Sequence, residues 1–156
     1  MRNLISMALA MGFAHAAIIK VSELVYVPEY RRYCEENRCG NYGKLPVCPP
    51  ACGTSDEMYD KVLACKNCLV LQTEFIPREK VMLEYLRGKR LHNELTEKLL
   101  TAAGMKNILV MSSGPWKNFS CMSAYSIDSE AMAKTCGMVC WGHDGIIRYF
   151  SCLLFN

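Results

Sequence analysis

The chain has 156 residues, 51% of them hydrophobic and 21% charged, with a formal net charge of +3. That size and apolar content suit one domain with its own core. Basic residues mixed with acidic ones give no electrostatic footprint for nucleic acid, and the densest run, Arg87-Gly88-Lys89-Arg90, lies in an acid-rich helical stretch and reads as a solvated face.

The chain opens ambiguously. Arg2, the apolar run from Leu4 to Ala14 and the triplet Ala14-His15-Ala16 imitate a secretory leader with a small-x-small cleavage site. The same residues also form a helix over 4–13 running into a strand over 16–21, which is the preferred reading. It fits the ten cysteines, which a secreted chain would pair as disulfides and a reducing cytoplasm would keep as thiolates for metal or redox chemistry. A cytoplasmic location is therefore expected. No apolar stretch reaches about 18 residues, so no membrane span is expected either.

A second helical patch follows over 28–36 and carries Arg31 and Arg32. Periodicity then stops: residues 37–54 are rich in glycine, proline and cysteine and form an irregular loop. Ser55 opens a helix to about Ala64, with Asp56 and Glu57 suiting its positive first turn. A strand over 69–75 precedes the longest helix, which starts at Pro77, repeats Leu91, Leu95 and Leu99, and stops at Gly104. The run Ile108-Leu109-Val110-Met111 is a buried strand ending in the turn Ser112-Ser113-Gly114-Pro115. A helix over 128–136, a turn at Gly142 to Gly145 and a strand over 146–155 complete the chain. Strands separated by helices predict a single α/β domain over 1–156. Its central sheet of about four strands is mostly parallel or mixed and covered by helices, because connections of helical length favour parallel pairs.

The chemistry concentrates in the loop 34–52, where Cys34, Cys39, Cys48 and Cys52 place four thiols close together. Thiolates are soft ligands that select zinc or iron–sulfur iron, and four can close a tetrahedral or cluster site. Glycines let the backbone wrap closely, and prolines stiffen it without adding donors. The Cys48-Pro49 step is also similar to the Cys-Pro that ends bacterial ferredoxin motifs.

Tyr33-Cys34, Cys39-Gly40-Asn41-Tyr42-Gly43-Lys44 and Cys48-Pro49-Pro50, with Met122-Ser123-Ala124-Tyr125-Ser126-Ile127-Asp128 further on, resemble the signature of an uncharacterised bacterial and archaeal family of predicted metal-binding proteins. The resemblance implies one metal centre built on Cys34, Cys39 and Cys48. Cys52 comes from the loop spacing alone. Relatives carry a second, ferredoxin-like cysteine cluster before the Ile-Asp segment. Here Gly114 to Ser120 leaves no room for it, and Cys121 alone is no replacement, so a two-cluster relay is not expected.

Other thiols have weaker patterns. Cys65-Lys66-Asn67-Cys68 has C-x-x-C spacing but follows a helix, away from the N-terminal dipole that activates redox thiols, so packing, redox chemistry and a loan to the main site all stay open. Cys136, Cys140 and His143 could supply three ligands to a separate metal. His15 and His92 lack companions at ligand spacing. No catalytic triad, Walker loop or dinucleotide fingerprint is present. The expectation is an iron–sulfur cluster serving electron transfer or redox sensing with a redox partner protein. The alternatives are a structural zinc module that mediates a protein interaction, and a metal-dependent enzyme whose pocket would use Arg31, Arg32, Asn41 and Lys44.

Overall fold

Apolar residues at helical spacing form α1 (Arg2–Met11), and Leu4, Ile5, Met7 and Ala8 pack onto the sheet behind it. The computed structural model describes residues 2–156, with the side chains of Met1 and Arg2 outside the described set. The chain turns into β1 (His15–Lys20), passes short 3-10 turns at Val21–Glu23 and Pro28–Arg31, and enters the one-turn helix α2 (Arg32–Glu35). Beyond the cysteine loop come α3 (Ser55–Leu63), β2 (Asn67–Phe75), α4 (Met82–Ala102), β3 (Leu109–Ser112) and β4 (Ser120–Cys121). A 3-10 turn at Met122–Tyr125, α5 (Ser129–Thr135) and β5 (Ile147–Phe155) finish it.

The expected α/β domain is present, with a mixed sheet of five strands in the order β1-β2-β5-β3-β4. The extra strand is β4, whose two residues are too few to show a period. All pairings are antiparallel except β3 with β4. β2 and β3, joined by α4, do run the same way, but β5 lies between them and pairs with both, so the unit is a split βαβ. β5 takes the centre because Ile147–Phe155 is buried along most of its length, and a strand covered on both faces carries a continuous apolar run.

The longest helix begins at Met82 rather than Pro77. Val81 stays extended as the N-cap, and the Arg78 backbone N–H donates to the Glu84 carboxylate at 2.8 Å, which holds residues 77–81 in turns. α3 begins as expected, closed by a reciprocal cap between Thr54 and Glu57 worth about 1 kcal/mol. In α4, Gly88 is required by close approach: a Cβ there would lie 2.6 Å from the Phe75 ring and 2.8 Å from that of Tyr149.

The sheet separates two cores. α1 and α4 cover one face, packing Ala8, Phe13 and Leu99 against Leu69, Leu71 and Leu153. α3, α5 and the 3-10 turns cover the other, where Met58, Val62, Tyr125 and Met132 meet Val70, Met111 and Leu154. Each of the larger aliphatic and aromatic side chains contributes about 2 kcal/mol by leaving water. The thiols that pack into either core all belong to this second one.

Candidate metal centre

The cysteine loop owes its shape to its own polar groups. Asn37, in the left-handed region at φ 57°, accepts the Tyr42 N–H on its side-chain oxygen at 3.0 Å. The Gly43 N–H reaches the Pro49 carbonyl at 2.8 Å, which draws the Cys39 arm back toward Cys48. Cys48 is buried at 6% exposure, its carbonyl accepting the Cys52 N–H at 3.1 Å, while Cys39 stays exposed.

Two anchors fix this loop to the far end of the chain. The Arg31 guanidinium donates to the Gly53 carbonyl at 2.8 Å and to the Ala124 carbonyl at 2.8 and 3.2 Å, bridging the end of the loop to the 3-10 turn after β4. The Ser120 hydroxyl donates to the Val47 carbonyl at 2.7 Å. Both flank Cys121, which therefore sits beneath the loop.

There Cys121 lies beside Cys34. The Cys34 side chain and the backbone N–H groups of Ala124 and Ser123 favour the Cys121 thiolate and hold its thiol down against its own burial. The same neighbour, with burial, drives Cys34 far upward. Cys48 is pushed up to about 11, first by burial and then by the charges of Cys121, Cys39 and Cys52 nearby. Cys52 rises through burial, opposed by Arg31, and its Sγ lies 3.9 Å from the Gly53 carbonyl. So Cys34, Cys48 and Cys52 lie around Cys121, with Cys39 near Cys34 and Cys48. Among the described residues no three His, Cys, Asp or Glu side chains are already set to hold one ion. The donor chemistry nevertheless fits a soft metal: the converging groups are all thiols.

Sequence reasoning missed Cys121 because the parallel pairing of Met111 with Ser120 and Ser112 with Cys121 rests on two residues. Its position immediately before the Met122-Ser123-Ala124-Tyr125-Ser126-Ile127-Asp128 segment was the available signal. The trio Cys136, Cys140 and His143 does not converge: Cys136 and Cys140 pack against the core and His143 is exposed. His15 pairs with Glu74 at 3.1 Å on the surface, and His92 is buried against Thr73.

A family model described as Predicted metal-binding protein (DUF2284) matches residues 17–118. The chain belongs to that family. The match takes in most of β1, the whole cysteine loop and the Cys65/Cys68 pair, and it stops just short of Cys121, so the DUF2284 segment and the anchor that closes it lie on opposite sides of the match's end. No curated protein and no solved structure matches the chain. Among the described residues no helix is long and apolar enough to cross a membrane.

Proposed function

We propose that this DUF2284 chain holds an iron–sulfur cluster on Cys34, Cys39, Cys48 and Cys121 and uses it to pass or sense single electrons in exchange with a redox partner protein. The observation that carries the reading is the seating of Cys121 against Cys34 beneath the cysteine loop. Cys52 was expected as the fourth ligand. Cys121 is preferred because it is the thiol that acts most strongly on Cys34, whereas the Cys52 thiol faces its own neighbour's carbonyl.

Iron–sulfur is preferred to zinc on one ground. The Ser123 and Ala124 N–H groups aimed at the Cys121 sulfur are the kind of hydrogen bond that sets a cluster's potential. The exposed Cys39 leaves one edge open to a partner protein. When bound, the cluster would supply one-electron chemistry. The chain's own part is to hold the thiolates, limit water and offer N–H groups to sulfur.

A second reading, catalysis, is favoured by one feature. Cys121 also lines a cavity of about 180 Å³ with Ser112, Ser123, Ser129, Cys140 and Trp141, so a small polar substrate could approach the centre from that side. The test is iron, zinc and acid-labile sulfide analysis with a visible spectrum on protein purified without oxygen. Iron with matching sulfide and a broad brown absorbance supports the cluster. Zinc at one per chain without sulfide replaces it with a structural clip.

A further inference from the structure

Outside the centre above, the remaining thiols are not scattered. The antiparallel register of β2 and β5 pairs Cys68 with Leu154 and Val70 with Cys152, so Cys68 and Cys152 are diagonal neighbours on one face, both at 0% exposure. Cys68 and burial together push the Cys152 thiol up. Cys65, where the chain leaves α3 for β2, packs against the same core, and so does Cys136, the C-cap of α5. The Cys136 charge is felt at Cys152, and that of Cys68 at both Cys65 and Cys136. The Met132 sulfur lies 3.3 Å from the Cys152 sulfur.

Two of these thiols are buried on strands and two are half-buried at helix ends. A disulfide is disfavoured between Cys68 and Cys152, because diagonal neighbours have Cα atoms about 7–8 Å apart, beyond the usual bridging span. Simple packing explains one buried cysteine. It does not explain C-x-x-C spacing converging with two distant thiols and a thioether.

We propose that Cys65, Cys68, Cys136 and Cys152 form a second metal site, for one closed-shell thiophilic ion of the zinc or copper(I) class. All four donors are soft, with the Met132 thioether close by. Among the described residues no three such donors are already set around one point, so the ion must draw the thiols together; the Cys65 thiol now donates to the Lys61 carbonyl at 3.8 Å, and a χ1 rotation turns it inward. Binding releases the protons of the ligating thiols to solvent, with no change of oxidation state. The site joins α3, β2, β5 and α5, so the ion clips the helical layer to the sheet.

The test uses the full chain with the first centre removed by Cys34→Ala and Cys121→Ala, reduced, metal-free and without oxygen, titrated separately with zinc and with copper(I). The proposal expects one equivalent of at least one ion per chain, lost when Cys65→Ala and Cys136→Ala are added. Those two positions are half-buried, and circular dichroism checks that the fold survives. In the unsubstituted chain, alkylation mapped by mass spectrometry should show Cys65 and Cys136 protected once the ion is added. Binding of neither ion, binding unchanged by the added substitutions, or alkylation of Cys65 and Cys136 unaffected by metal would each overturn the proposal.

Discussion

Replacing Arg31 by Gln removes the guanidinium that joins the end of the cysteine loop to the turn following Cys121. Charge-assisted bonds of this kind contribute about 1.5–3 kcal/mol each. Arg31 is half-buried and water can replace part of what is lost, so we take about 3 kcal/mol for its contacts with Gly53 and Ala124 together. For a domain of this size that lowers the melting temperature of the metal-free protein by about 6–12 °C. The same contacts hold the Cys48 and Cys121 arms together before metal arrives. If the whole cost passes to binding, affinity falls up to about a hundredfold, since each tenfold is about 1.4 kcal/mol. Chelator competition measures the affinity, and calorimetry measures the melting temperature. Arg32→Gln is the control, because Arg32 is exposed and stacks only on Tyr33, with its guanidinium 5.4 Å from the ring centre. An Arg31→Gln protein that melts lower yet binds metal as tightly as the parent would refute the idea that this bridge gathers the thiols.

Two further predictions concern the scaffold. Burial holds the His92 imidazole down at about 3, so the folded chain refuses a proton that the unfolded chain takes near pH 6.5. Stability is then full above about pH 6.5 and falls by about 1.4 kcal/mol per unit toward pH 3; urea midpoints across that range should drop, and His92→Gln should flatten the slope. Gly88→Ala forces a methyl into the Phe75 and Tyr149 rings and should cost about 1–3 kcal/mol in urea unfolding, with metal binding unchanged because α4 lies on the opposite face of the sheet.

How much of this was legible in the sequence depended on the range of the signal. The cysteine loop, the α3 start and the apolar run of β5 are local, and each was read within a residue or two. The α4 start was misplaced because Pro77 is a strong helix opener, whereas the Glu84 carboxylate that holds the preceding turn in place is a contact between residues. Cys121 stayed hidden for a different reason. Its approach to Cys34 depends on Arg31 and Ser120 reaching backbone carbonyls far along the chain, and neither bond leaves a pattern in spacing. The same holds for Cys136 and Cys152, which meet Cys68 only through the sheet register and the packing of α5.

The most direct test of the central claim compares Cys121→Ser with Cys52→Ser, both purified without oxygen and assayed for iron and sulfide per chain. The account predicts that Cys121→Ser loses most of both while Cys52→Ser keeps the parent's content. The reverse pattern, with Cys52→Ser emptied and Cys121→Ser filled, would contradict it and return the fourth ligand to the loop.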